Sequence, residues 1–217
     1  LLTAESPLEL DESKTHYLGH VMHFDAGDGV VLFNGRDGKW LAVVVSFGKN
    51  RCSLSLNRQI RRQAEESGPW LAFAPLKKTS TDSLVEKATE LGVSRLCPVF
   101  TGRTNSARIN LERMRKHAIE AAELSERLTV PEIAQPETLE QLAAGWPKDR
   151  LLLMLDESSG GRPIAEVLIK LGAEDGANPE ACGFLCGPEG GFDGGELDAI
   201  VNLDFVTAVE LGPRILR

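Results

Sequence analysis

Residues 182–196 read CGFLCGPEGGFDGGE. An apolar strand, Cys182 to Cys186, runs into Gly-Pro-Glu-Gly-Gly, and a helix start follows. Gly187, Gly190 and Gly191 allow a tight turn and let a ligand lie against bare backbone. Asp193 and Glu196 have the spacing of a capping box, with Asp in place of the usual Ser or Thr. A loop between the carboxyl end of a strand and a helix is where α/β proteins bind ligands. The stretch has no G-x-x-x-x-G-K-[ST] and the chain has no G-x-G-x-x-G, so both phosphate fingerprints are missing.

Outward from this stretch, apolar runs alternate with helical patterns from Trp70 onward. Strands are expected at 70–75, 95–100, 150–156, 182–186 and 205–211. Between them, Ser83 and Glu86 have capping-box spacing, with Leu84, Ala88 and Leu91 on one face and Gly92 as the stop. Leu111, Met114, Ala118, Ala121, Ser125 and Leu128 mark a long amphipathic helix. Pro163 opens another helix, with Ile164, Val167, Leu168 and Leu171 following and Gly172 closing it. Such alternation predicts an α/β fold with a mostly parallel sheet covered on both faces.

Residues 1–66 have a different grammar. His16 to Val21 reads as a short helix or strand. GDGVVLFNGRDGKWLAVVVSF then alternates apolar runs with turns, and Asn34-Gly35 and Asp37-Gly38 are hairpin signals. Arg51 to Leu56 alternates with period two, as a half-buried strand does. The pattern predicts a small β-barrel. The polar NRQIRRQAEESGP, ending in Gly68-Pro69, reads as a linker or strand end. The boundary is placed near residue 67, giving domains 1–67 and 68–217.

Bulk properties narrow the function. The chain has 217 residues, 42% hydrophobic and 26% charged, with a net charge of −8, ordinary for a globular protein. Charge is uneven: residues 69–128 carry ten Lys and Arg against seven Asp and Glu, and residues 129–217 carry six against sixteen. A basic face for a polyanion fits this distribution despite the acidic total. Cys52, Cys97, Cys182 and Cys186 are scattered in strand-like runs, which reads as a reduced, cytoplasmic chain. No apolar run approaches the roughly 20 residues of a membrane helix. The sequence starts at Leu1 and stops at Arg217 straight after a motif, as if trimmed at both ends.

Each candidate site has a plainer counterpart. His16, His20 and His23 lack a clear fourth metal ligand, so no metal is expected and packing or surface histidines are the ordinary explanation. Arg58, Arg61, Arg62, Lys77 and Lys78 form one basic run; Arg103, Arg108, Arg113, Arg115, Lys116 and His117 form another. Such runs are usually solvated faces, yet phosphate contacts need Lys and Arg, and two runs beside a small β-domain suit a structured-RNA binder. Glu189 either accepts a ligand hydroxyl or amine, or closes its loop by bonding backbone N–H groups. LDESSGG (155–161) and ELGPRILR (210–217) are two further loops after strands. Their convergence with the first on one pocket is a hypothesis at this stage.

Along nearly its whole length the chain resembles the RsmE family, the SPOUT-class methyltransferases that modify N3 of a uridine in 16S ribosomal RNA. HYLGHVMHFDAGDGVVLFNG (16–35) is similar to the family's PUA-like barrel. APLKK (74–78), VEKATELGV (85–93), EAAELSER (120–127), LCGPEGGF (185–192) and LGPRILR (211–217) follow in the family's order. Leu124 departs from the family's Gln, and His23 from its Arg. The resemblance implies a C-terminal SPOUT-type trefoil-knotted parallel-sheet domain and an N-terminal PUA-like β-barrel. It implies a homodimer acting on 16S ribosomal RNA or the small ribosomal subunit, away from membranes.

The resemblance further implies S-adenosyl-L-methionine held by Leu155, Asp156 and Glu157, by Gly187, Pro188, Glu189, Gly190 and Gly191, and by Leu211, Gly212, Ile215 and Leu216. RNA contacts would come from Arg58, Arg61, Arg62, Lys77, Lys78, Arg103, Arg108 and Ser125. Transfer to uridine N3 needs a base or an anion-stabilising cation. Arg127 or Arg217 would stabilise the uridinate and Glu189 would take the proton. The competing readings are a non-catalytic RNA-binding assembly factor of the same fold, and a nucleotide-binding enzyme acting on a small metabolite.

Overall fold

The computed structural model describes residues 1–105, 108–155, 161–173 and 182–212. The chain divides into two compact units, Leu1–Glu65 and Glu66–Arg217.

The first unit is a four-stranded antiparallel sheet built from β1 (Pro7–Leu10), β2 (Gly29–Leu32), β3 (Lys39–Phe47) and β4 (Cys52–Arg61), in the order β1-β4-β3-β2. Alternate residues of β3 and β4, among them Ala42, Val44, Cys52, Leu54 and Leu56, face a common core, as a period of two requires. Three register shifts interrupt the β3–β4 ladder; such bulges add twist and let a short sheet bend round its core. The turn before β3 uses Gly35 and Gly38, both at positive φ, and the Asn34 side chain accepts from the N–H groups of Arg36 and Asp37. His16–Val21 is helical. Helix α1 (Glu12–His16), capped by Asp11, runs into a π-helical turn, Tyr17–Val21. Leu18 enters the core there, while Tyr17, Val21 and Met22 stay exposed. The stretch read as a linker or strand end is β-structure as far as Arg61.

The second unit is an eight-stranded sheet in which every described pairing is parallel. Its strands are β5 (Trp70–Phe73), β6 (Arg95–Phe100), β7 (Glu132–Ile133), β8 (Glu137–Thr138), β9 (Leu151–Leu155), β10 (Arg162–Pro163), β11 (Cys182–Cys186) and β12 (Val206–Glu210). The order is β10-β12-β9-β11-β5-β6-β7, with β8 also on β6. The five long strands fall where the apolar runs predicted them. β12, the last strand in sequence, lies inside the sheet, between β9 and β10. The loops 156–160 and 213–217 lie outside the described residues.

Neighbouring residues of each strand point to opposite faces, so the sheet has two cores. Ala72, Cys97, Val99, Leu152, Met154 and Leu185 pack with helices α4 (Leu139–Gly145) and α6 (Gly194–Val201). Phe73 and Leu96 pack with helices α2 (Lys78–Glu90) and α3 (Leu111–Leu124). Helix α5 (Ile164–Ala173) follows β10.

Two helix boundaries depart from expectation. Helix α2 begins five residues before Ser83, so Ser83 and Glu86 are not a cap. Thr81 instead closes the turn ahead of the helix, accepting from Leu76 N–H and donating to Leu76 O, both at 3.1 Å. Helix α3 stops at Leu124. Ser125 caps it through its own N–H to Ala121 O, and Glu126 takes a positive φ of 56°, the left-handed conformation that ends helices.

Candidate cofactor and RNA site

Parallel strands enter a sheet from one edge and leave from the other. The carboxyl ends of β12, β9 and β11 are adjacent and level: Cys186 is in register with Leu155, and Leu155 with Val209. The loops that follow therefore start side by side. This adjacency is what sequence order alone could not supply. Leu155, Gly187–Gly191, Leu211 and Gly212 stand along it. Asp156, Glu157, Ile215, Leu216 and Arg217 lie outside the described residues.

The glycine-rich loop is held from within. Gly191 N–H donates to Pro188 O at 2.9 Å, and Gly191 takes φ 67°. Phe192 folds back over Gly187, where an added Cβ would lie 2.9 Å from its ring. Pro188 is buried, while Glu189 and Gly190 are exposed. The turn is closed by backbone, and among the described residues the Glu189 carboxylate has no hydrogen-bond partner. Of the two roles read for Glu189, loop closure is supplied by other groups. The capping box is formed in full: Asp193 accepts from Glu196 N–H at 2.8 Å, and Glu196 from Asp193 N–H at 3.0 Å.

A second loop leans on the first. β6 leaves the sheet at the same edge, and Thr101 to Thr104 form a tight turn, with Thr101 N–H donating to Thr104 Oγ1 at 2.9 Å. From this turn Gly102 N–H donates to Glu196 Oε1 at 2.6 Å, and Arg103 Nη1 donates to Gly190 O at 2.8 Å. Neither bond is readable from sequence, because the partners are 94 and 87 residues apart. Lys77 and Lys78 follow β5 at this edge, where Ala74 N–H donates to Cys186 O at 3.0 Å. Arg108 precedes α3. Arg58, Arg61 and Arg62 are exposed on or just after β4 in the first unit.

Two predicted residues lie elsewhere in the subunit. Arg127 is 7% exposed. Its Nε donates to Glu66 at 2.8 Å, Nη1 to the carbonyls of Thr89 and Val93, both at 2.8 Å, and Nη2 to Gly92 O at 3.4 Å. These partners precede β5 and β6, at the amino edge of the sheet, opposite the glycine-rich loop. Four of the five guanidinium N–H groups are engaged. Within the subunit, the donors of Arg127, read from sequence as a cation for the uridinate, hold the α2–β6 connection. Ser125 lies at the same amino-edge end of α3, and its hydroxyl donates to Ala121 O at 2.7 Å, so it too is turned to its own helix.

The histidines of the first unit are exposed, with the rings of His16 and His20 4.8 Å apart. Among the described residues, no three His, Cys, Asp or Glu side chains are grouped to hold a metal ion. No helix of the described residues is long and apolar enough to cross a membrane.

The fold is shared with solved methyltransferase structures. The chain superposes on a Legionella pneumophila structure described as a putative methyltransferase with bound cofactor SAM. The TM-score is 0.84 and the identity 23%, covering 100% of this chain and 88% of that one. It matches a Neisseria gonorrhoeae ribosomal RNA small subunit methyltransferase E bound to S-adenosyl methionine, with TM-score 0.82, identity 22% and the same coverage. In sequence it is 32% identical to the ribosomal RNA small subunit methyltransferase E of Rickettsia conorii, over 100% of this chain and 86% of that protein. Residues 65–217 match the RNA methyltransferase domain model and residues 10–57 the RNA methyltransferase PUA domain model. The chain belongs to this family of RNA methyltransferases.

Proposed function

We propose that the protein methylates N3 of one uridine in 16S ribosomal RNA, using S-adenosyl-L-methionine. The observation that carries this reading is the level row of strand ends at Leu155, Cys186 and Val209, with a bare-backbone loop on one of them. Backbone N–H and C=O groups along such an edge read an adenine, and Leu155 and Leu211 supply apolar contact. The glycines keep bulky side chains off the loop, the Cβ side of Gly187 being taken by Phe192 and that of Gly190 by Arg103. Asp156, Glu157, Ile215 and Leu216, outside the described residues, are assigned to the same cofactor by the motifs they stand in.

S-adenosylmethionine, when bound, supplies an electrophilic methyl group. The protein's own part is orientation and proton management. Glu189, exposed and unpartnered among the described residues, is assigned the N3 proton, and Arg217 is the cation assigned to the uridinate. Lys77 and Arg108 offer phosphate contacts at the ligand edge, and Arg58, Arg61 and Arg62 offer them on the PUA domain, residues 1–67. We assign that work to the cytoplasm.

The working unit is a homodimer. Helix α5 reads IAEVLIKLGA, yet none of its described side chains is fully buried, and Ile169 is 72% exposed. A helix this apolar needs a cover.

Calorimetry with S-adenosylmethionine, followed by nucleoside analysis of small-subunit RNA treated with enzyme and cofactor, tests the reading. Micromolar binding and new 3-methyluridine are expected. Binding of ATP or NAD with none of S-adenosylmethionine would sink it.

A further inference from the structure

Arg103 belongs to a basic run, and basic runs are assigned to RNA by default. Its surroundings point elsewhere. The Arg103 stem lies along Gly190, whose added Cβ would sit 3.7 Å from Arg103 Cδ, and Nη1 donates to Gly190 O. One residue earlier, Gly102 N–H donates to Glu196, while Asp193 Oδ2 sits 2.8 Å from where a Gly102 Cβ would be. Glu196 divides its two oxygens: Oε2 closes its own capping box and Oε1 holds Gly102. The turn 101–104 thus grips both ends of the segment 190–196. It is itself braced, since the Thr101 and Thr104 hydroxyls lie 2.9 Å apart and Thr104 N–H donates to Thr101 O at 3.1 Å.

We propose that Arg103 and Glu196 are positioning residues of the cofactor loop: they fix the Gly187–Gly191 backbone in its binding shape before ligand arrives. The inference rests on the S-adenosylmethionine reading above. A loop whose backbone reads a ligand gains affinity when its shape is set in advance, because ordering is not charged to the binding step. A carbonyl held by a guanidinium cannot rotate freely, and Gly190 has no side chain of its own to restrain it. Lysine keeps one charged donor at Gly190 but loses the planar fork; alanine keeps nothing.

Calorimetry with S-adenosylmethionine, alongside filter binding of a small-subunit RNA fragment, separates this role from RNA contact. Arg103→Ala is expected to weaken cofactor affinity about tenfold, with RNA affinity and Tm within error of wild type. Arg103→Lys is expected to recover most of the cofactor affinity. Glu196→Gln, which retains one acceptor oxygen, serves as the second variant and is expected to weaken the cofactor about threefold. In steady state the losses fall on KM for the cofactor, not on KM for RNA. Unchanged cofactor affinity in both Arg103→Ala and Glu196→Gln overturns the proposal, as does an Arg103→Lys variant as weak as alanine. A fall in RNA affinity alone makes Arg103 an RNA ligand. A wild-type protein that binds no S-adenosylmethionine overturns the functional reading itself, which the variants do not address.

Discussion

Arg127 and Glu66 form an ion pair, Nε to Oε2 at 2.8 Å, with the arginine side chain 6% and the glutamate 32% exposed. Thr129 donates to the same carboxylate oxygen at 2.7 Å. The pair ties the segment entering β5 to the segment leaving α3. Removing one partner of a buried pair costs far more than the pair is worth, because the other charge stays behind.

Arg127→Ala is therefore expected to destabilise the protein by about 3 kcal/mol, read as a lower urea midpoint. Methyl transfer per folded molecule is expected to be retained. A full-stability variant with no transfer would return Arg127 to the chemistry.

Gly183 lies where Trp146 crosses β11, and an added Cβ would run into the indole ring. The indole is held in place by its N–H to Arg150 O at 2.8 Å. Gly183→Ala is expected to cost about 2 kcal/mol by overpacking. Trp146→Phe in the same chain should return part of that loss, giving a non-additive double-mutant cycle in thermal unfolding.

Burial pushes the thiols of Cys97 and Cys186 up from the usual 9.0 to about 11. Between those values the unfolded chain has lost protons that the folded chain keeps, so stability falls as pH rises from about 9 to about 11. Below 9 these two thiols contribute no slope. A denaturation series across that window, repeated with Cys97→Ala/Cys186→Ala, checks the assignment: the double variant should flatten the curve. At pH 8 both thiols should react with iodoacetamide about a hundredfold more slowly than an ordinary thiol.

Ile169→Glu places a charge on the exposed apolar face of α5. If that face meets a second copy, light scattering after size exclusion should report a monomer where wild type gives a dimer. A dimer of unchanged dissociation constant would move the interface elsewhere.

Local chemistry was legible in the sequence, and distant partnership was not. Strands β5, β6, β9, β11 and β12 showed as apolar runs because both faces of the sheet are covered. The Asp193–Glu196 box was readable because both partners sit three residues apart. Ser83 and Glu86 had the same spacing and misled, because the turn Thr81 makes with Leu76 starts the helix earlier. Arg127 has ligand-like chemistry, and nothing nearby in sequence reveals the carbonyls of Thr89, Gly92 and Val93 waiting for it 34 to 38 residues away. Arg103 read as one more cation in a run, for want of any local sign of Gly190. The glycines stand out in sequence through what they lack, so the loop was legible and its bonds to the 101–104 turn were not.

The interior place of β12 bears on how the chain is made. A ribosome delivers β9 about fifty residues before β12, so the edge of β9 that β12 will occupy emerges uncovered, with unpaired backbone groups exposed. β10, which pairs with β12, has no ladder to join until then. Synthesis at about 5–20 residues per second leaves that edge open for roughly 3–10 s. The nascent chain is thus exposed to aggregation between the emergence of β9 and that of β12, and chaperone dependence should concentrate in that interval.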